Sequence, residues 1–360
     1  MWPDRRLIEL LGIEIPIAGA PMAGAQDWEL AAAVSKAGGL GSLPCAMLAP
    51  EKIIEQVENI RSVTDRPFNL NFFTHALPRA DNEREAAWRD RLAPYYREFG
   101  LDPNEPIKST QRSPFDGKLC SVVETVKPAV VSFHFGLPEK SLLQRVKAAG
   151  CKIFGCATTA KEARWLAERG VDAVIAQGTE AGGHRGTFLG DSLAAQPGTF
   201  ALVPQIADAV RIPVIAAGGI ADARGIAAAF ALGASGVQIG TALLLGPEGK
   251  ISAPHRAALK EAKDDSTVLT NVITGRPARG ILTRLIREQG PVSDSVPEFP
   301  LAATPLAPLR AKAEAAGSGD FSPLWAGQSA ALARAMPAGE LIAKLAAETA
   351  KQFERLNVSS

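Results

Sequence analysis

Cysteine is scarce in this 360-residue chain, and it forms no recognisable motif. The four cysteines are Cys45, Cys120, Cys151 and Cys156, and no two of them have the C-x-x-C spacing. This scatter argues against a metal site and against a disulfide framework. We therefore expect no bound metal and a cytoplasmic, reducing location.

An excess of charge of one sign is also absent, and so is any long hydrophobic run. Lys and Arg number 39 against 38 Asp and Glu, so the chain lacks the basic bias that nucleic-acid binding requires. No apolar run approaches the roughly 18 residues that a membrane span needs. The opening MWPDRRLIELLGIEIP carries acidic residues where a signal peptide would be uninterruptedly apolar. We expect a protein that binds small molecules rather than nucleic acid or membrane, and a homodimer is left open.

Short runs rich in Val, Ile and Ala alternate with helical patterns along most of the chain. Continuous apolar runs are typical of parallel strands that helices cover. The runs are Ile15–Gly19, Gly39–Leu43, Phe68–Phe73, Ala129–Phe135, Lys152–Gly155, Ala173–Gln177, Pro213–Ala217 and Gly236–Ala242. Eight strands that alternate with helices predict an α/β fold of the TIM (β/α)₈ barrel type, with an open doubly wound sheet as the alternative.

Two segments interrupt this alternation. We assign residues 1–245 to the barrel, with residues 76–116, which are charged and hold both tyrosines, as a helical insertion on its surface. Residues 246–336 are rich in Ala, Pro and charge and predict a small, mainly helical domain. Residues 337–360 predict a C-terminal helix that packs back on the barrel.

The last two predicted strands carry the most informative pattern in the chain. Val214–Gly219 (VIAAGG) and Gly236–Thr241 (GVQIGT) are both apolar runs that end in glycine. Successive units of this kind hold a phosphate at the C-terminal mouth of a parallel barrel. Glycine lets the main chain approach the anion, and N–H groups at a following helix start point towards it.

The side chains predicted at the strand ends are polar but nearly uncharged. They include Asn71, Gln177 and Gln238, together with the main chain of Ala20–Met22. This set lacks the carboxylate pair of a glycosidase and the ligand cluster of a metal hydrolase. Amide groups suit the ring edge of a flavin, which would supply redox chemistry that the protein only positions and tunes.

Histidines are few, and two of them each allow two interpretations. His184, in the loop EAGGHRG, is either a general base near the substrate or a loop contact without proton transfer. His134 is either a pocket residue or a satisfied core histidine, pointing opposite to its Phe neighbours. We expect His75 to be a loop residue at the rim and His255 to be solvated.

Two further features stand near the predicted site. Arg185 follows His184 and is expected to pair with an anionic substrate or with Glu180, or to be solvated. The segment Trp325–Gln328 (WAGQ) is expected to be a hydrophobic anchor or a second contact to the cofactor phosphate.

At these residues the chain resembles the larger class of nitronate monooxygenases, formerly called 2-nitropropane dioxygenases. The matching stretches include AQGTEAGGHRG at Ala176–Gly186, PVIAAGGIADARG at Pro213–Gly225, VQIGTALL at Val237–Leu244 and WAGQ. The resemblance implies a TIM barrel that holds FMN noncovalently. It also implies oxidation of alkyl nitronates, and of some nitroalkanes, by O₂ to a carbonyl compound and nitrite.

The resemblance also implies roles for individual residues. His184 matches the catalytic histidine, and His134 and Phe299 would line the substrate pocket. The implied FMN contacts are Ala20, Pro21, Met22, Asn71, Gln177, Gly182, Gly183, Gly218, Gly219, Gln238, Ile239, Gly240 and Thr241. Phe299 stands where relatives often carry tyrosine, so it keeps the ring and lacks the hydroxyl. The alternatives are an NAD(P)H-dependent quinone or enoyl reductase and a non-catalytic flavin-binding barrel.

Overall fold

A barrel of parallel strands forms the centre of the molecule. The structure is a computed structural model that describes residues 2–79, 81–103, 105–107, 113–190 and 192–357. Within these residues one sheet has eight strands, which are β1 (Ile17–Gly19), β2 (Gly41–Pro44), β3 (Phe68–Phe73), β4 (Val130–His134), β5 (Lys152–Ala157), β6 (Ala173–Gln177), β8 (Val214–Ala217) and β9 (Gly236–Ile239). Their order in the sheet is β1-β9-β8-β6-β5-β4-β3-β2. The two-residue strand β7 (Gly183–His184) lies outside the barrel.

The first and second strands close the ring with a short contact. Ala18 bridges Leu40 in parallel fashion. The N–H of Gly19 donates to the Leu40 carbonyl at 3.0 Å, and the N–H of Leu40 donates to the Ile17 carbonyl at 3.0 Å. The predicted TIM barrel is therefore confirmed, and the open doubly wound alternative is wrong.

Helices cover the outside of the barrel and form its peripheral units. They are α1 (Arg6–Leu11), α2 (Trp28–Lys36), α3 (Pro50–Val63), α4 (Asn82–Glu98), α5 (Gly117–Val126), α6 (Lys140–Ala148), α7 (Ala160–Glu168), α8 (Thr199–Ala209), α9 (Ala223–Ala231), α10 (Ala253–Lys260), α11 (Arg284–Gln289), α12 (Ala307–Ala315) and α13 (Ala338–Asn357). Several begin at a side-chain cap: Asp222, for example, accepts hydrogen bonds from the N–H groups of Arg224 and Gly225. Helix α8 contains Pro204, a residue type that is unfavourable in a helix interior because it has no main-chain N–H to donate.

Helix α1 covers one end of the barrel. Its apolar residues Leu7, Ile8 and Leu11 belong to a buried cluster with Phe154 and Ile215, which lie on barrel strands. A second, larger cluster joins the outward side chains of the strands to the surrounding helices. Because the interior is filled at the α1 end, open space is left at the carboxyl ends of the strands.

The segment after β9 builds a peripheral unit at that open end. Besides α10, α11 and α12 it contains the antiparallel hairpin of β10 (Thr267–Thr270) and β11 (Ala278–Ile281). Strand β11 also pairs with β7, with Ala278 opposite His184. Helix α4 of the insertion packs against this unit, since Trp88 and Tyr96 are buried in one cluster with Leu309. One face of α4 is therefore buried against this unit, and most of its other residues are exposed. Residues 80, 104 and 108–112 of the predicted insertion lie outside the described residues.

Helix α13 packs across α2 and α9 on the barrel wall. Its side chains Leu341, Ile342 and Leu345 join the cluster between strands and helices. No helix in the described ranges has both the length and the apolar composition that crossing a bilayer would take.

Candidate active site

A cavity of about 470 Å³ opens where the barrel strands end. It is lined by Ala20, Pro21, Met22, Asn71, His134, Gln177, Gly182, Gly183, His184, Gly218, Gly219, Gln238, Gly240 and Thr241, among others. Two predicted site residues do not line it. Ile239 is a buried strand residue whose carbonyl accepts from the N–H of Ala20 at 2.8 Å, and Phe299 lies behind His184 with ring centroids 5.2 Å apart.

The loop after β8 presents main-chain donors to this cavity. Gly218 and Gly219 have φ of 109° and 71°, values that favour glycine. A Cβ on Gly218 would lie 2.9 Å from the N atom of Ala181, so a side chain there would also clash. In the described part of the chain, no main-chain carbonyl accepts from the N–H of Gly219. That N–H is therefore available to a ligand.

The loop after β9 has the same property. Its 3₁₀ turn Thr241–Leu243 begins at the cavity, and among the described residues no carbonyl accepts from the N–H of Thr241. The Thr241 hydroxyl accepts from the N–H of Gly327 at 2.9 Å. Ser329 Oγ donates to the carbonyl of Gly219 at 2.7 Å. The WAGQ segment and the adjacent Ser329 therefore join both glycine loops, and Trp325 lies with its ring 5.4 Å from that of His184.

Glu180 places a carboxylate beside these donors, and the N-terminus of α8 stabilises it. Thr199, the first residue of α8, donates its N–H to both carboxylate oxygens at 2.9 and 2.8 Å. The Thr199 hydroxyl donates to Glu180 Oε2 at 2.9 Å. A negative charge is favourable at a helix N-terminus. Glu180 therefore attaches its own loop to the start of α8.

The strand-end amides are held in defined orientations. Asn71 Nδ2 donates to the hydroxyl of Ser132 at 2.9 Å, which leaves its Oδ1 as the group that can accept from a ligand. Gln177 is used differently, because both ends of its amide bind the loop that carries His184. Its Nε2 donates to the His184 carbonyl at 3.0 Å, and its Oε1 accepts from the N–H of Gly186 at 2.8 Å.

His184 lies at the centre of a group of rings. The ring centroids of Phe135, Phe299 and Trp325 are 6.1, 5.2 and 5.4 Å from its own. Its Nε2 lies 2.9 Å from Thr274 Oγ1. The ladder between β7 and β11 positions its main chain. The imidazole is therefore presented to the cavity from an ordered strand rather than from an irregular loop.

His134 faces the same region and is kept neutral. Its Nε2 lies 3.2 Å from the carbonyl oxygen of His184. Burial lowers the pKa of His134 to about 3, so its ring is a neutral hydrogen-bond donor at ordinary pH. Phe135 does not continue the strand alternation, because its φ is 74°, and its ring lies 4.4 Å from that of His134. The expectation that His134 points opposite to both neighbours therefore fails at Phe135.

Two other expectations are corrected. Arg185 is fully buried and donates to the carbonyls of Gln177 and Gly178 and to the side chain of Gln196, so it is neither solvated nor hydrogen-bonded to Glu180. His255 is buried rather than solvated, with Nε2 3.2 Å from the Trp325 carbonyl. His75 lies in the loop after β3, as expected, and is buried there with its ring 4.9 Å from that of Phe299.

Two supporting residues were missed at the level of sequence. Thr274, 2% exposed, reaches His184 from the turn between β10 and β11, and no local pattern marks it. Glu162 is 1% exposed and accepts from the N–H groups of Thr158, Phe188 and Leu189. The spacing from Thr159 to Glu162 is that of a capping box, which could have singled out Glu162. Its carboxylate instead fixes the loop that follows His184.

Comparison with known proteins agrees with this geometry. The family model described as nitronate monooxygenase matches residues 4–348. A nitronate monooxygenase of Pseudomonas aeruginosa is 45% identical over 95% of this chain and 98% of its own length. A nitronate monooxygenase of Paraburkholderia phytofirmans is 42% identical over 98% of this chain and 97% of its own.

Solved structures show the same fold. The nitroalkane oxidase of Streptomyces ansochromogenes superposes with a TM-score of 0.87 at 37% identity, covering 98% of this chain and 99% of its own. FabK of Thermotoga maritima superposes with a TM-score of 0.74 at 30% identity, covering 99% of each chain. The resemblance seen in the motifs is thereby confirmed: the chain belongs to the nitronate monooxygenase family of flavin-dependent oxidoreductases.

Proposed function

We propose that the cavity binds FMN, with its phosphate against the main chain of Gly219, Gly240 and Thr241. The chemistry of the donors supports this proposal. The N–H groups of Gly219 and Thr241 have no main-chain acceptor among the described residues, and an anion would satisfy both. Two of these three residues are glycines, so the main chain can approach the anion closely.

The isoalloxazine ring would then extend across the barrel mouth. Met22 and the neighbouring Ala20 and Pro21 line the cavity and would contact the ring. Asn71 would accept a hydrogen bond from a ring N–H, since its Nδ2 is already bound to Ser132. Gln238 lines the cavity from strand β9, which pairs with β1, and would contact the ring edge. Gln177 would contribute mainly by ordering the loop that carries His184.

The reaction that this arrangement supports best is oxidation of alkyl nitronates by O₂ to a carbonyl compound and nitrite. Bound FMN would supply the redox chemistry. His184 would orient the nitronate anion and, with a neutral nitroalkane, would take the proton from the α-carbon. The aromatic rings around His184 would exclude water from that side of the substrate. The observation that carries the proposal is that His184 and both glycine loops line one cavity.

The wild-type protein tests the proposal directly. We expect a flavin absorption spectrum, release of FMN on denaturation, and oxygen consumption with nitrite formation when a nitronate is added in air. A colourless protein that does not take up FMN would refute the cofactor assignment. Rapid bleaching of the flavin by NADH without oxygen, together with no turnover of nitronates, would favour the reductase alternative instead.

Replacing the proposed base should affect turnover of a nitroalkane and turnover of a nitronate differently. For His184→Asn we expect nitroalkane turnover to fall by about 10²–10⁴-fold, because a general base contributes on that order. Nitronate turnover should fall much less, since that substrate has already lost its proton. Initial rates with a nitroalkane and with its preformed nitronate, at equal flavin content, provide the measurement. Unchanged rates with both substrates would contradict the assignment of His184.

A further inference from the structure

The turn between β10 and β11 approaches the imidazole of His184 and is tied to the strand that carries it. Ala278 pairs with His184 across the β11–β7 ladder, and the N–H of Arg185 donates to the Pro277 carbonyl at 2.8 Å. Thr274 lies on this turn and is 2% exposed. Its position relative to His184 is therefore set by main-chain hydrogen bonds rather than by a mobile surface loop.

The main chain of His184 is held from the barrel side as well. Its carbonyl accepts from Gln177 Nε2 at 3.0 Å and lies 3.2 Å from His134 Nε2. These contacts position the Cα of His184, but the imidazole can still turn about two side-chain torsions. The buried hydroxyl of Thr274, 2.9 Å from Nε2, holds one nitrogen of that ring. This hydroxyl therefore helps to fix the orientation of the imidazole.

We propose that Thr274 is a positioning residue that keeps the proton of neutral His184 on Nε2 and so makes Nδ1 the nitrogen that serves the substrate. The hydroxyl of Thr274 has one proton, which it donates to the carbonyl oxygen of Arg276. The distance from Oγ1 to that carbonyl oxygen is 3.4 Å. Its oxygen is then free to accept from His184 Nε2–H. The partner of one ring nitrogen decides where the proton of a neutral imidazole lies. The role of Nδ1 towards the substrate rests on the proposed function, whereas the position of the proton on Nε2 does not.

The consequence for a nitroalkane follows from proton balance. The α-carbon C–H bond breaks, its electron pair moves into the nitro group, and the substrate leaves this step as a nitronate. The proton goes to Nδ1 of His184, which forms the N–H bond and makes the ring an imidazolium. Thr274 still accepts from Nε2–H, so the hydrogen bond is kept as the positive charge develops. A ring with the proton on Nδ1 could not perform this step in the same orientation.

The wild-type holoenzyme gives the first test. Nitrogen-15 NMR of protein labelled at histidine, with His184 assigned by comparison with His184→Asn, distinguishes a protonated from an unprotonated ring nitrogen. In the neutral imidazole we expect protonated Nε2 and unprotonated Nδ1. The opposite tautomer would overturn the inference, whether or not the protein turns over nitronates. Failure of the proposed function would appear separately, as absent nitrite formation by the wild type.

Two substitutions give the second test. Thr274→Val keeps the shape and removes the hydroxyl, and Thr274→Ser keeps the hydroxyl. For Thr274→Val we expect kcat/KM for a nitroalkane to fall about tenfold or more, while that for the preformed nitronate stays within about threefold. Thr274→Ser should retain both activities. Equal losses with both substrates, the same loss in Thr274→Ser, or no loss at all would overturn the assignment.

Discussion

His134 and His255 carry neutral rings because burial removes the water that would stabilise their charged form. Burial lowers the pKa of His134 to about 3 and that of His255 to about 4. Each ring approaches a main-chain carbonyl, that of His184 and that of Trp325 respectively. A neutral ring can donate one hydrogen bond without carrying a charge into an apolar surrounding. Both histidines therefore act as structural donors around the cavity.

This neutrality predicts how stability changes with pH. An unfolded histidine titrates near 6.5, whereas folded His134 titrates near 3, so the unfolded state binds more protons between these values. The free energy of unfolding should fall as pH decreases below 6.5, by up to about 1.4 kcal/mol per pH unit for each such histidine. For His134→Gln we expect a shallower slope between about pH 6.5 and 5, measured by urea denaturation. An unchanged slope would mean that His134 is not neutral in the folded protein.

Single residues show where sequence reasoning reached its limit. His184 could be predicted because its glycine-flanked motif is local. Thr274 could not, because a contact with His184 from 90 residues away depends on how two strands pair. Arg185 was misjudged because an isolated arginine suggests solvent, and only the folded loop shows the carbonyls that satisfy its guanidinium.

At the scale of elements, loops rather than strands determine what the cavity can bind. Gly182 lies where the loop before β7 crosses the WAGQ segment. A Cβ there would lie 2.6 Å from the N atom of Gly327. The same N atom donates to the hydroxyl of Thr241 at 2.9 Å. Two loops and a 3₁₀ turn therefore meet with no room for a methyl group.

Gly182→Ala should consequently weaken flavin binding. The added methyl group must displace main chain, and overpacking of this kind costs about 1–3 kcal/mol. If that cost falls on the bound state, the dissociation constant of FMN rises roughly 5- to 150-fold. Titration of flavin-depleted protein with FMN gives the measurement. Gly117→Ala is the matched control, because a Cβ on Gly117 meets no atom within 4 Å. Equal affinities in the two variants would contradict the argument.

The same scale shows which elements can be predicted. The barrel strands could be, because buried parallel strands are continuous apolar runs such as Ala173–Gln177. Helix α8 could not, since Pro204 interrupts its helical pattern. The β10–β11 hairpin also escaped prediction, because composition favoured helices in residues 246–336 and strand pairing is not local.

At the scale of the whole molecule, α4 and the segment after β9 share one hydrophobic cluster. Trp88 is fully buried there, and its Nε1 donates to the Ala302 carbonyl at 3.2 Å. Tyr96 donates its hydroxyl to the Pro305 carbonyl at 2.5 Å. Parts of the chain more than 200 residues apart are thus joined beside the cavity.

Trp88→Ala should destabilise this peripheral cluster more than the barrel. Removing a buried tryptophan costs about 3–5 kcal/mol. We expect faster hydrogen exchange in α4 and α12, with β4 and β5 unchanged, because the barrel strands belong to a different buried cluster. Phe200→Ala is the control, since Phe200 is 74% exposed and its loss should change stability by less than about 0.5 kcal/mol. Uniform acceleration throughout the barrel would contradict this separation.

Helix α13 has a consequence for how the chain matures in the cell. Its residues Leu341, Ile342 and Leu345 cover barrel-wall surface formed by α2 and α9. During synthesis these 20 residues leave the ribosome after every barrel strand has emerged. Until then the nascent barrel has an uncovered apolar strip where its first and last strands meet. Chaperones that bind exposed apolar surface on newly made chains would therefore bind at this strip until α13 covers it.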